Sequence, residues 1–216
     1  MLFIYCAGSV SSEIKDIALR RNYQLNDLVF VDDLNEYTSC PEKKKTIDFK
    51  KMCSLYKEND SILIANGEPF VRSKIYKKLK EKSFNLSILI DKSAIISPSA
   101  LIEEGTIVFP FCTVSSNTHI KHNALINNHS IIGHDVVVGE NSVISSIVNV
   151  GGNTKIGRNT YIGMGSSIRE RIEICDNCIV SMGSSVFNDV KKDMIVIGNP
   201  ARAIRRNEDK KVFKSS

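Results

Sequence analysis

An isoleucine or valine returns at every sixth position from Ile96 to Val186, through Ile102, Val108, Val114, Ile120, Ile126, Ile132, Val138, Ile144, Val150, Ile156, Ile162, Ile168, Ile174 and Val180. With 42% apolar residues in the chain, an unbroken run of that length has a chance of about one in a million. Four positions after each member stands a small or β-branched residue, beginning Ala100, Thr106, Cys112, Thr118 and ending Ser184. A helix repeats about every 3.6 residues and a flat strand about every 2, so a period of six fits neither. It fits a coil of triangular cross-section. Each side is a short strand with the Ile or Val pointing inward, and the small residue sits in the tight corner region.

Residues 1–91 follow another pattern, in which short apolar runs alternate with amphipathic stretches. "LFIYC" (2–6) predicts a buried strand ending at Ala7-Gly8-Ser9. Ser11 or Ser12 is predicted to cap a helix to about Arg21, with Ile14, Ile17 and Ala18 on one face. "LVFV" (28–31) predicts a second strand, ending at Asp32-Asp33, and Asp48 to Lys57 a weaker helix. "SILIA" (61–65) predicts a third strand. Glu68-Pro69 then opens a helix to about Lys82, and "LSILI" (86–90) predicts a fourth strand. The alternation implies a small Rossmann-like α/β domain, a parallel sheet covered on both faces. Ligands of such sheets sit outside the carboxyl ends of the strands, here Ala7-Gly8-Ser9, Asp32-Asp33 and Asn66-Gly67. Asp32 and Asp33 suit hydrogen bonds to a ribose or to base N–H groups; a plain polar turn suits them equally. The full G-x-G-x-x-G fingerprint is absent, which argues against a dehydrogenase. The domain division is 1–91, then 92–206 for the coil with its closing segment, then a polar tail, 207–216, expected to fray. In the closing segment Val196 and Ile197 predict a last strand, and Gly198-Asn199-Pro200 a tight turn.

The net charge of +5 is modest. Its basic residues fall at Lys43-Lys44-Lys45, at Lys74, Lys77, Lys78, Lys80 and Lys82, and from Arg202 to Lys214. No basic run carries interleaved aromatics, so a nucleic-acid partner is not expected, whereas a phosphate-rich small molecule is compatible. Six cysteines, Cys6, Cys40, Cys53, Cys112, Cys175 and Cys178, form no disulfide framework of the secreted kind. Cys175 and Cys178 make a lone C-x-x-C with no second ligand pair after it, so Cys178 reads as the small residue of its hexad. No run suits a signal h-region or a bilayer span, and a cytoplasmic chain without membrane insertion is the expectation.

All four histidines, His119, His122, His129 and His134, lie in the repeat. His134 stands outside the buried Ile132 position with Asp135 next to it. Acyl transfer needs a base of near-neutral pKa, and a carboxylate can fix its tautomer. Neighbours on a strand face opposite ways, so a corner bend is needed to join the pair. Gly152 stacks one coil from His134, where it is expected to leave room for a thioester. A column of Asn128, Ser146, Met164 and Met182 suits a pantetheine arm. His129 is the second candidate base. A three-histidine zinc site would need a further ligand near position 93, which is Ser93, so no metal is implied.

The hexads "IGHDVV", "VGENSV", "IGRNTY" and "IGMGSS" resemble the hexapeptide acyltransferases, which implies an all-β left-handed parallel β-helix. The run 125–168, with "FVDD", "ANGEP", "FPFCTVSSNTHI" and "GNPAR", is similar to the sugar-nucleotide N-acetyltransferases of the bacillosamine and perosamine kind, relatives of the sialic acid O-acetyltransferases. That resemblance implies an acetyl-CoA-dependent homotrimer acting on a nucleotide-linked 4-amino-4,6-dideoxy sugar for bacterial surface glycans. His134 takes the place of the catalytic base and Asp135 that of its acidic neighbour. Gly152, Met164, Gly165, Met182, Gly183, Pro200 and Arg202 fall where acetyl-CoA is held between subunits. Gly8, Ser9, Asp32, Asp33, Asn66, Gly67, Asn127 and Asn128 fall on the substrate side. The family's Gly-rich first loop with a His is replaced here by Ala7-Gly8-Ser9-Val10-Ser11. O-acetylation of a sialic acid or other sugar hydroxyl, and a non-catalytic β-helix trimer, stand as alternatives.

Overall fold

The computed structural model describes residues 1–33 and 46–213. Cys40, Lys43-Lys44-Lys45 and the last three residues of the tail lie outside the described residues.

Strands β1 (Leu2–Tyr5), β2 (Leu28–Val31), β3 (Thr46–Ile47) and β4 (Ser61–Ile64) form a parallel sheet in the order β3-β2-β1-β4. All of β1 is buried, which is why its sequence is apolar without alternation. Leu2 and Ile4 pack with Ile14 and Ile17 of α1 (Ser9–Arg20). Phe3 and Tyr5 face the other way, toward Met52 of α2 (Phe49–Leu55) and Ile75 and Leu79 of α3 (Pro69–Lys80). Helix α1 starts earlier than predicted. Gly8 holds the extended N-cap conformation, and Ser11 lies buried in the first turn with its hydroxyl donating to the Gly8 carbonyl at 2.6 Å. The serine supports the turn from within instead of capping it. Asp48 caps α2 through the Lys51 N–H, and Pro69 occupies the first turn of α3.

The predicted fourth strand is two things. Leu86 makes an isolated parallel bridge to Ile62, and β5 (Leu89–Ile90) pairs with Ile107–Val108 of the coil. One apolar run therefore carries the handover between domains, and the fourth strand of the sheet is Thr46–Ile47, which no apolar run announces.

From β5 onward the chain winds through three parallel sheets. The first face holds 107–108, 125–126, 143–144, 161–162 and 179–180. The second holds 95–96, 113–114, 131–132, 149–150, 167–168 and 185–186, and the third 101–102, 119–120, 137–138, 155–156 and 173–174. Leu125 lies opposite Val143 and Ile131 opposite Asn149, so one coil takes three hexads. Ile120, Ile126, Ile132, Val138 and Ile144 are wholly buried, each worth about 1.5–3 kcal/mol of removed apolar surface. The third residue after each has positive φ: Asn123, His129, Asp135, Asn141 and Ile147. A two-residue strand and a four-residue corner thus make the period of six. The next residue is buried, and where it is Ser or Thr its hydroxyl donates to a carbonyl of the following coil: Thr118 to Gly133, Ser130 to Ser145, Ser142 to Gly157, each at 2.8 Å. Cys178 holds the same place, wholly buried, with Sγ 3.2 Å from the Lys191 carbonyl, and burial pushes its thiol up to about 11.

At the corner between the third and first faces, asparagine amides form a ladder. Asn123 donates to Asn141 (2.8 Å), Asn141 to Asn159 (3.1 Å), Asn159 to Asn177 (3.2 Å) and Asn177 to the Asp193 carboxylate (2.8 Å). Arg72 caps the other end. Wholly buried, it donates to the Asn123 side chain and carbonyl and to the Ile64 and Asn66 carbonyls. Burial lowers its pKa to about 9, so it is charged at neutral pH.

A hairpin of Met194–Ile197 and Arg202–Arg206 closes the coil. The tail beyond it does not fray across its described part. Asn207 is buried, its N–H on Asp193 and its amide on Asn177, and the segment reaches back until the Val212 and Phe213 amides meet Glu68. Phe213 of this strap lies against Tyr161 on the first face. Among the described residues no helix is long and apolar enough to cross a membrane.

Candidate active site

The corner between the second and third faces carries the imidazole. Asp135 sits at φ +56°, the bend that lets neighbouring side chains meet, and His134 Nδ1 lies 2.7 Å from Asp135 Oδ2. Asn117, one coil earlier in the same corner, donates to Asp135 Oδ1 at 3.1 Å. The hydrogen bond from His134, then that from Asn117, hold the carboxyl below the usual carboxylate range. An ionised carboxylate only accepts, so Nδ1 carries the N–H, and in the neutral ring Nε2 then holds the lone pair. Both side chains are half-exposed.

Gly152 lies on the same edge, one coil on, but the space beside it is taken. A Cβ there would stand 2.6 Å from His134 Nε2 and 2.8 Å from Cε1. The expectation of an empty glycine ledge is therefore corrected: stacked coils sit about 4.8 Å apart, and the ring folds down onto the Gly152 backbone. Gly151 and Asn153 donate to the Ile168 and His134 carbonyls, while among the described residues no backbone carbonyl takes the Gly152 N–H.

The other predicted donor-binding residues of the coil fall elsewhere on it, together with Asn127 and Asn128 from the predicted substrate side. Asn127, Asn128, Met164, Gly165, Met182 and Gly183 share the corner between the first and second faces, one edge away from His134. Met164 and Met182 are exposed. Gly165 and Gly183 have φ of +70° and +67°, and nothing lies within 4 Å of where a Cβ would stand on either, so the backbone beside the methionines is open. Asn127 Oδ1 accepts from the N–H and side chain of Asn128. His129 belongs to this corner too, stacked on Phe111 with centroids 4.9 Å apart, and is not joined to His134. Pro200 and exposed Arg202 lie in the closing hairpin, where Ala201 donates to Ser185 of the last coil.

In the α/β domain, Gly8, Ser9, Asp32, Asn66 and Gly67 follow the carboxyl ends of β1, β2 and β4, so they share one edge. Asp32 Oδ2 accepts the Ala7 N–H at 3.2 Å. Asp33 is also engaged within the fold: Oδ2 receives the Tyr5 hydroxyl and Lys78 Nζ, and Oδ1 the Phe49 N–H. Burial works to raise its carboxyl, but those bonds outweigh it and hold the group low. Cys6, buried at φ +76° at the end of β1, has its thiol pushed up to about 12 by burial. Arg72, Asn117 and Glu68 were not singled out from sequence. For Asn117 a signal existed, since it stands one coil before Asp135.

Residues 1–79 match the PglD N-terminal domain, and residues 153–188 match the bacterial transferase hexapeptide of six repeats. The chain thus unites these two domains. The acetyltransferase domain of PglB from Neisseria gonorrhoeae FA1090, solved with acetyl coenzyme A, is similar to it at 26% identity and TM-score 0.84, covering 94% of this chain and 98% of that one. PerB from Caulobacter crescentus, solved with CoA and GDP-perosamine, shares the fold at 22% identity and TM-score 0.86, covering 94% and 97%. WeeI from Acinetobacter baumannii AYE does so at 23% identity and TM-score 0.87, covering 94% and 99%. Among curated proteins, Saccharomyces cerevisiae YJL218W, described as an acetyltransferase, is 35% identical over 54 residues, 25% of this chain and 28% of the relative's length.

Proposed function

We propose that the protein transfers acetyl from acetyl-CoA to the amino group of a nucleotide-linked 4-amino-4,6-dideoxy sugar, in the cytoplasm, for bacterial surface-glycan synthesis. The observation that carries this is the half-exposed His134–Asp135 pair poised over the Gly152 backbone. As the sugar amine attacks the thioester carbonyl, a C–N bond forms and Nε2 takes the amine's proton. The oxygen's developing charge suits the Gly152 N–H. Collapse of the tetrahedral intermediate breaks the C–S bond and releases CoA. Asp135 stabilises the imidazolium, and no acyl-enzyme or metal is needed. The acetyl-CoA complex of the PglB domain and the GDP-perosamine complex of PerB support both substrates.

A homotrimer belongs to the same reading. His134 and the Met164–Met182 corner occupy different edges of one chain, so two copies side by side would bring them together. Phe111, Ile147, Met164 and Met182 on that corner are exposed apolar side chains, and Ile147 holds φ +60°, unusual for a β-branched residue.

The test is thiol release from acetyl-CoA with a panel of UDP-, GDP- and dTDP-linked 4-amino sugars. At least one should turn over, and His134→Ala should lower kcat about 10²–10⁴-fold with little change in KM. Absence of turnover across the panel, with no acetyl-CoA binding by calorimetry, would reject the reading.

A further inference from the structure

On the β4 side the ligand edge of the α/β domain ends under the C-terminal strap. Glu68 follows Asn66-Gly67 directly, yet its carboxylate does not cap α3. It accepts the Val212 N–H at 3.0 and 3.1 Å to its two oxygens and the Phe213 N–H at 2.6 Å. The Phe213 ring then lies over Gly67, whose Cβ position is 3.7 Å from Cε2, and meets Tyr161 of the coil edge-on, centroids 5.7 Å apart with planes at 81°. Lys210 fastens the strap once more, its Nζ 5.3 Å from the centre of the Phe70 ring. Despite these anchors Phe213 is 54% exposed. A large aromatic surface is thus held in place and left uncovered beside Gly67.

The strand order β2-β1-β4 gives the edge a direction. Asp32 follows β2, Gly8-Ser9 opens α1 after β1, and Asn66-Gly67 follows β4. A nucleotide sugar lying along that edge sets its three parts in series. Asp32 suits the ribose and base, and the start of α1 suits the diphosphate. The hexose then falls at Gly67, against Phe213. A 6-deoxy sugar presents a methyl group and an apolar ring face, the chemistry an exposed phenyl ring accepts.

We propose that Phe213, anchored by Glu68, forms the wall of the hexose subsite and favours a 6-deoxy sugar. This rests on the nucleotide-sugar reading above. Calorimetry on the full chain tests it with GDP against GDP-perosamine, and dTDP against dTDP-4-amino-4,6-dideoxyglucose. Phe213→Ala should weaken the sugar-bearing ligand about tenfold and leave the matching free diphosphate within about twofold, as expected for lost apolar contact with the sugar alone. Glu68→Ala, which frees the strap with the ring intact, should act in the same direction. Equal loss for both ligands would put the ring under the base, and no loss for either would remove it from the site; each overturns the proposal. Wild-type protein that binds none of the four, and no UDP-linked 4-amino sugar either, overturns the nucleotide-sugar reading as well.

Discussion

At the scale of single residues, the geometry of His134 depends on what its neighbours lack. Asp135 reaches the imidazole because it tolerates a left-handed corner conformation, which Asp and Asn adopt more readily than most residues. The ring packs close against the coil because Gly152 has no side chain. Gly152→Ala sets a methyl group 2.6 Å from Nε2, a contact only ring rotation relieves. Rotation would part Nδ1 from Asp135 and move Nε2 from its place beside Gly152. We expect kcat to fall roughly 10²-fold, the scale of a misplaced catalytic group, with the thermal midpoint nearly unchanged because the ring is half-exposed. Steady-state kinetics beside a thermal melt checks this, and unchanged kcat would show that the ring's resting place is immaterial. Sequence could name this trio, since spacing by one coil puts 134 and 152 on one edge. It could not show that the imidazole fills the space above the glycine, which depends on a rotamer.

Among the elements, the coil was legible and the joints were not. A strictly periodic apolar position follows from geometry repeated turn after turn, so the strands, their register and the inward residues could all be counted from Ile96 onward. The strand at Thr46–Ile47, the division of 86–90 and the path of the tail depend on contacts between distant parts, to which local pattern is blind. The asparagine ladder lies between these cases: its spacing is visible, its hydrogen bonds are not. Asn141 has two duties there. It accepts from Asn123 and donates to Asn159, and it holds φ +60°. Asn141→Ala loses both, so we expect a loss of about 2–3 kcal/mol in denaturant unfolding. Asn141→Gly keeps the backbone freedom and should recover part of that loss. Equal losses would show that the amide chain alone matters at this corner.

For the whole molecule, two bodies of different chemistry are held together by buried polar groups. The coil's interior is apolar and has little to titrate. The α/β domain and its junction use ionised side chains: Arg72 buried between the domain and the coil, Asp91 receiving Arg20 at 2.7 Å and the Ser93 N–H and hydroxyl, and Asp33 receiving Tyr5 and Lys78. Burial works to raise the Asp91 carboxyl, but the bonds from Ser93 and Arg20 prevail and hold it below the ordinary carboxylate range, as at Asp33. A carboxyl whose folded pKa is depressed stabilises the fold fully above its unfolded value, near 3.9, and loses that contribution as pH falls through the lower folded value. Acid should therefore loosen the α/β domain and its seam with α1 while the coil persists. Hydrogen exchange followed from about pH 6 to pH 2.5 should show protection failing first in β1, β2 and α1, and later, if at all, at 125–168. Asp91→Asn removes one titrating group, so its stability should vary less with pH across that range, at lower stability near pH 6. A single cooperative transition spanning both bodies at every pH would instead mean that Arg72 and the ladder bind them too firmly to part.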